Sequence, residues 1–426
     1  NMYQYIRDSY FYKKFFWIGI FLIPSAPSIG CLFLLSSSIF SLKNNFEKLF
    51  NDKWNCIFIF SALLMPIICF IQSDNISPFY GNWDKSLTWI GLTNWVLLIL
   101  CFLSFQFFVS TKEDRRLLAK ILIAGSFPVL ISGFAQFFFK VYGPFEILNG
   151  LIIWFQKPLT HDTGMTALFN NQNYAGAWLC IVWPLSLATL LDSLKNKVNK
   201  YIALSFLISI TSAIILTTSR SAWGGLILLI PLMSGLSSII YLLPIIFLAL
   251  ILIMFITSNI VPNDFQNQIR EIIPNRFWQE FIPENFEFRE TRLEIWKVAV
   301  TFISQKPLIG WGAGAFPFLY FYEKNTYTGH THNLILELAV SYGIPVTILI
   351  FGCILSISIA SFSKIFVNTS FYKTDYFERA WYSSFFVLSC SQLVDVQYFD
   401  VRISIVFWVL LAGLKEIIKN SIYQQN

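Results

Sequence analysis

Apolar residues run through this chain in long stretches broken by short polar clusters. Ile202 to Leu216, Ile239 to Ile256 and Leu334 to Ala360 are mostly apolar and lack the strict alternation of a half-buried strand. A helix crosses a hydrocarbon core in about 20 residues, whereas a barrel strand does so in around 10 alternating ones. The pattern predicts an all-α fold, a polytopic bundle of membrane helices. Spans fall near 15–24, 28–40, 54–71, 86–109, 118–138, 172–190, 201–217, 222–235, 237–257, 332–360, 379–395 and 401–416. Pro24, Ala26, Pro27 and Gly30 interrupt the first pair, and counting it as two gives about twelve crossings.

Basic residues then assign sides, because short loops rich in Lys and Arg stay in the cytoplasm. Arg7, Lys13 and Lys14, then Lys43, Lys48 and Lys53, then Lys112, Arg115, Arg116 and Lys120 fall inward under this scheme. Lys195, Lys197, Lys200, Lys364, Lys373, Lys415 and Lys419 follow them. Loops 72–85, 139–171 and 259–331 lie outside, with the turns near 218–221 and 396–400, and both termini are cytoplasmic. The formal charge of +6 needs no nucleic-acid partner, since topology accounts for much of it. No cleavable signal peptide is expected, because more spans follow the first apolar run. Seven cysteines without metal-ligand spacing read as packing residues.

With no Gly- or Ser-rich linker and no fixed-period repeat, residues 1–426 read as a single integral membrane domain. Its least oily part is the large outer loop 259–331, where charges of both signs alternate with aromatics. Within it, 290–304 carries Leu293, Trp296, Val300 and Ile303 at helical spacing, which predicts an amphipathic helix lying on the membrane surface or the bundle mouth. Pro307, Gly310, Gly312 and Gly314 then break helicity before the aromatic run Phe316 to Tyr322. The loop is long enough to form a lid. The other large outer loop holds Trp154, Lys157, His161 and Asp162 and leads into Asn170-Asn171-Gln172-Asn173, whose amides cap the next helix or face a polar ligand.

Several polar residues sit where apolar runs end. Arg220, after Thr217, Thr218 and Ser219, suits paired hydrogen bonds to phosphate; its plainer reading is an interfacial anchor. Arg289 and Arg292 are three apart and share a helix side, a clamp or a surface pair with Glu290 and Glu294. His332, beside Asn333 and two residues after His330, is a base near neutral pH or a structural imidazole. Glu337 pairs with an arginine inside the bundle or packs. Asp395, Asp400 and Arg402 surround a tight hairpin, which favours a structural ion pair over an ion path. With no HExxH, paired CxxC, carboxylate cluster of metal geometry or P-loop, neither a metal nor another cofactor is expected.

Five motifs in order resemble the O-antigen ligase and polymerase superfamily, which includes cyanobacterial inorganic-carbon-transporter-like members. They are Asn171-Gln172-Asn173-Tyr174-Ala175, Thr218-Ser219-Arg220-Ser221-Ala222-Trp223-Gly224, Arg292-Leu293-Glu294-Ile295-Trp296, the glycine-rich stretch from Pro307 to Phe316, and His332-Asn333-Leu334-Ile335-Leu336-Glu337 running to Gly343. Each is weak alone; their order and the loop between the arginines make the set specific. Gln172 stands where the family places proline, which puts the rigidity of that turn in question.

The resemblance implies a glycosyltransferase of the bacterial inner membrane whose donor is a polyprenyl-diphosphate-linked glycan and whose active site is periplasmic. It assigns the essential residues to Arg220, Arg292 and His332; beside them, Asn171, Asn173, Ser219, Arg289 and Asn333 are read as substrate-binding and Trp296 and Glu337 as supporting. The expected reaction is direct, inverting and metal-independent transfer to lipid A-core. Lipid-linked glycan in a polymerase and protein hydroxyls in an O-oligosaccharyltransferase are the alternative acceptors, and membrane lipids surround the bundle. Bicarbonate or other solute transport and a noncatalytic scaffold are the readings from other classes; no inverted repeat or pair of broken helices marks a transport site.

Overall fold

Prolines, glycines and charges cut the apolar runs into helices of uneven length. A computed structural model describes residues 2–74, 84, 86–160, 163–195, 197–257, 261–272, 292–367 and 375–422. The helices are α1 (Met2–Leu22), α2 (Pro27–Leu49), α3 (Lys53–Asp74), α4 (Ser86–Ile90), α5 (Val96–Phe105), α6 (Lys112–Gly125), α7 (Phe127–Phe139), α8 (Gln172–Asp192), α9 (Lys197–Leu216) and α10 (Arg220–Ser234). They continue as α11 (Ile239–Thr257), α12 (Asn263–Ile272), α13 (Arg292–Gln305), α14 (Phe316–Lys324), α15 (Leu334–Tyr342), α16 (Ile344–Phe362), α17 (Tyr376–Ser391) and α18 (Val401–Ile422).

The expected count of about twelve spans is wrong. Among the described residues seven helices are long and apolar enough to cross a membrane: 53–72, 86–105, 112–139, 172–192, 199–216, 239–257 and 344–367. The spans expected at 15–24, 28–40, 222–235, 379–395 and 401–416 do not qualify. In α1 and α2, Lys13, Lys14, Lys43, Glu47 and Lys48 dilute the apolar stretch, and Ser38 and Ser41 hydrogen-bond Ser104 on α5. Helix α10 stops after 15 residues at Gly235, whose φ is +92°. Helix α17 has 16 residues and opens with Glu378 and Arg379, while α18 carries Arg402, Lys415, Glu416 and Lys419. The expected span 332–360 breaks at Gly343 into α15 and α16. The argument that both termini share a side rested on an even count and falls with it.

The all-α expectation needs a second correction. A two-stranded antiparallel hairpin, β1 (Phe145–Ile147) and β2 (Ile152–Trp154), interrupts the loop before α8. Trp154 ties it to the bundle by donating its indole N–H to the Ser25 carbonyl at 2.6 Å.

Helix α8 is the hub, 72% buried across its apolar window and packed on α9, α10 and α17, whereas α11 is only 6% buried and leaves its apolar surface for lipid. The face expected of the 290–304 helix is also displaced. Ile295, Val298, Ala299, Phe302 and Ile303 pack inward with Phe316, Leu319 and Tyr320, while Leu293 and Val300 are exposed. Both stripes are apolar, so spacing alone does not choose between them. Phe321 and Tyr322, from the aromatic run, stay exposed.

One longitudinal axis organises the rest. Helix α17 spans about 24 Å at 1.5 Å per residue, with Asp375 at its N-cap and Asp395 just beyond its other end. Lys112 and Arg116 meet Asp375 at 2.8 and 2.5 Å, and Arg115 meets Glu378 at 3.3 Å. The polar breaks at 171–173, 217–220 and 330–333 gather at the Asp395 end.

Candidate active site

Three helix starts and one turn deliver the site. Asn171 caps α8, accepting the Asn173 and Tyr174 amides; Ser219 caps α10, accepting the Ala222 amide; Asn333 caps α15, accepting the Ile335 and Leu336 amides. An N-cap satisfies orphan amides and is worth about 1 kcal/mol, so these residues form local structure as well as facing the site. Gln172, expected to loosen its turn, forms a polar clamp: its side chain accepts the Gly164 amide at 2.5 Å.

The caps are joined by a continuous chain of hydrogen bonds. Ser219 Oγ donates to Asn173 Oδ1 at 2.9 Å, Asn173 Nδ2 donates to Asp395 Oδ2 at 3.1 Å, and His332 Nδ1 lies 3.2 Å from Asp395 Oδ1. Burial opposes the Asp395 charge, but the His332 hydrogen bond, the fields of His330 and His332 and the Val396 amide hold its pKa below the ordinary value. An ionised carboxylate only accepts, so toward Asp395 the donor is His332 Nδ1, and in the neutral ring that tautomer leaves the Nε2 lone pair for another group.

The segment carrying His332 is pinned from several directions. The Trp296 indole donates to the Thr331 carbonyl at 3.0 Å, and Glu337 Oε2 accepts the Thr331 amide at 2.9 Å. Glu337 therefore holds backbone, with no ion pair to an arginine among the described residues, and burial raises its pKa despite that amide. Asn333 Nδ2 donates to Leu393 O at 3.0 Å, two residues before Asp395. His332 itself has φ +54°, a left-handed conformation uncommon outside glycine and kept here because its neighbours are fixed. His330 Nδ1 accepts the His332 amide at 3.1 Å, and the two rings meet edge to face at 4.3 Å.

The glycine-rich stretch sits beneath this segment. Trp311 and Gly312 donate their amides to Val340 and Ser341 carbonyls at 2.7 and 3.0 Å, and Ile344 donates to Pro307 at 2.7 Å. Gly310 and Gly343 have φ of +69° and +87°, and a Cβ on either would sit 2.6 Å or less from facing backbone. This backbone-to-backbone contact explains why the apolar run breaks at 343 and why α15 carries Asn333 toward Asp395.

Arg220 and Arg292 each begin a helix, α10 and α13; both keep exposed surface, with part of the Arg292 side chain covered by its surroundings. They are close enough to interact. Burial lowers the Arg292 pKa most, Asp395 opposes that and Arg220 adds to it. Arg292 also acts on His330, whose pKa is pushed down to about 4, first by burial and then by His332, with Asp395 opposing. Trp296, one turn after Arg292, couples α13 to the histidine segment.

The structure thus gathers Arg220, Arg292, His332, Asn173, Ser219, Trp296, Glu337 and Asn333, with Asn171 one step outward as a cap. Arg289, His161 and Asp162 lie outside the described residues. Sequence reasoning undervalued Asp395, which belongs to the site; Asp400 and Arg402 do form the expected structural pair, at 2.5 Å, with Arg402 over the Phe169 ring. The missed signal was the acid that follows α17 opposite a second acid at its start.

The chain is a polytopic helical membrane protein that holds an imidazole–carboxylate pair at the end of the bundle where two arginines begin helices. Residues 203–351 match the O-antigen ligase family, and that match supports the assignment to the O-antigen ligase and polymerase superfamily. The matched region contains Arg220, Arg292 and His332 but stops short of Asn173 and Asp395. No curated protein matches the chain.

Proposed function

We propose that the chain transfers a glycan from a polyprenyl-diphosphate carrier to an acceptor hydroxyl, with the sugar core of lipid A as the acceptor. The family match supports an enzyme of the ligase or polymerase type. The observation that carries the chemistry is His332 Nδ1 held 3.2 Å from Asp395 Oδ1.

In this reading His332 Nε2 takes the acceptor hydroxyl proton as its oxygen attacks the anomeric carbon. The bond from that carbon to the diphosphate breaks, and its electron pair stays on the phosphate oxygen. Asp395 steadies the imidazolium, and Arg220 and Arg292 meet the charge growing on the leaving group. Attack opposite the leaving group inverts the anomeric centre. Two fixed cations supply what a divalent ion would otherwise provide, so transfer proceeds without metal. Asn173 and Ser219 hold Asp395 in place and face the sugar.

The side follows from charge. Lys112, Arg115 and Arg116 occupy the far end of α17 from Asp395, and loops dense in Lys and Arg remain in the cytoplasm. The site then opens to the periplasmic face of the inner membrane.

Purified protein given lipid-linked glycan and separate candidate acceptors tests the reading. His332→Ala should lower transfer by roughly two to four orders of magnitude while donor binding and the melting temperature persist. Mass analysis of the product separates lipid A-core, polyprenyl glycan and glycoprotein. Solute flux without glycan transfer would contradict the proposal.

A further inference from the structure

We propose that His330, His332 and Asp395 also form a binding site for a divalent transition ion such as Zn2+, and that its occupancy silences transfer. The binding half stands on geometry alone; the inhibitory half rests on the reading of His332 as the base.

The donor atoms are His330 Nε2, His332 Nδ1 and Asp395 Oδ1, all within 4.8 Å of one another. His332 Nδ1 is 3.2 Å and His330 Nε2 is 4.0 Å from Asp395 Oδ1. Ligands about 2.0–2.1 Å from a tetrahedral Zn2+ lie roughly 3.3 Å apart, so a small inward movement of the His330 ring completes the set. Two imidazoles and a carboxylate suit zinc, nickel or copper, whereas Mg2+ and Ca2+ favour all-oxygen shells. Three protein donors leave a fourth position open.

The inhibitory effect comes from where the protons go. An ion on His332 Nδ1 displaces the proton now shared with Asp395, and the neutral ring then carries it on Nε2. Nε2 is the atom that would receive the acceptor proton, so the base becomes a donor. His330 makes the same change: its Nδ1 now accepts the His332 amide, and coordination through Nε2 moves its proton to Nδ1 and gives up that hydrogen bond. With both imidazoles neutral, no proton leaves either ring. Among the proposed ligands only the carboxylate offsets the ion's two positive charges, and Arg292 lies close enough to act on that carboxylate, which weakens the complex.

The test uses the full chain in nanodiscs, with Co2+ as optical probe and Zn2+ as competitor. We expect one Co2+ per chain with the visible absorption of a low-coordinate nitrogen and oxygen site, displaced by Zn2+ and not by Mg2+. X-ray absorption on the zinc-loaded wild type should find imidazole in its shell. His330→Gln should weaken binding at least about tenfold and raise the inhibitory Zn2+ concentration by a similar factor, each protein being compared with its own metal-free rate. Absence of stoichiometric binding, a zinc shell without imidazole, or unchanged affinity in His330→Gln overturns the site. Full activity with zinc bound overturns the inhibition. Absence of transfer in the metal-free wild type would count against the proposed function, and the cobalt spectrum would still decide the site.

Discussion

The two ends of α17 handle charge differently. At the Asp375 end, cations and anions are matched: Lys112 and Arg116 on Asp375, Arg115 on Glu378, Lys13 on Asp114 at 2.7 Å and Lys415 on Asp52 at 3.0 Å. At the Asp395 end, two arginines stand near one carboxylate already engaged by His332 and Asn173. The first arrangement closes on itself and holds helices together. In the second the carboxylate fixes the orientation of an imidazole, and under the proposed function the two guanidiniums meet an incoming anion. Under the proposed function, similar residue types act as a clasp at one end and as a receiving site at the other.

That contrast can be broken by exchanging effects between the ends. Arg220→Ala and Arg292→Ala should each lower transfer by roughly ten- to a hundredfold, the loss of one charge-assisted hydrogen bond to the diphosphate, as measured by initial rates at saturating acceptor. An effect on melting temperature without one on rate would make the receiving end a clasp too. Asp395→Asn should cost about tenfold in rate and shift the pH profile, because an amide neither fixes the Nδ1–H tautomer nor steadies the imidazolium. A rate loss with an unmoved pH profile would reduce Asp395 to packing.

Acid should loosen the receiving end first. The His330 pKa is lowered from 6.5 to about 4, so between those values the unfolded chain binds more protons than the folded one and stability falls as pH falls. Asp395, with its pKa lowered, keeps its contribution above the ordinary carboxylate value and loses it as pH drops through the folded one. NMR of labelled histidine is tractable with three histidines in the chain and should find His330 neutral at pH 6. Titration near 6.5 would show the ring to be solvated. The smallest effect is expected at the clasp. Asp375→Asn weakens an N-cap and two partly exposed ion pairs, about 1 kcal/mol together, visible as a few degrees of melting temperature with transfer unchanged.

The sequence made Arg220, Arg292 and His332 legible because each stands where an apolar run meets polar residues. Asp395 was harder to place. It lies 63 residues from His332 and shares its turn with the Asp400–Arg402 pair, which diverts attention to a local explanation. The number of spans was misread for a related reason. A run of apolar letters does not reveal that Gly343 must bend against Leu308, nor that Lys415 and Glu416 belong to a helix packed inside the bundle. The buried face of α13 was ambiguous because two apolar stripes compete, and its partners Phe316 and Tyr320 choose between them.

Where the donor's diphosphate sits tests the distinction between the two ends most directly. A structure with a non-transferable polyprenyl-diphosphate glycan bound should place both phosphates within hydrogen-bond reach of Arg220 and Arg292, with the anomeric carbon on the His332 Nε2 side. Phosphates found instead beside Arg115 and Arg116 at the Asp375 end, or His332 turned away from the sugar, would contradict the account.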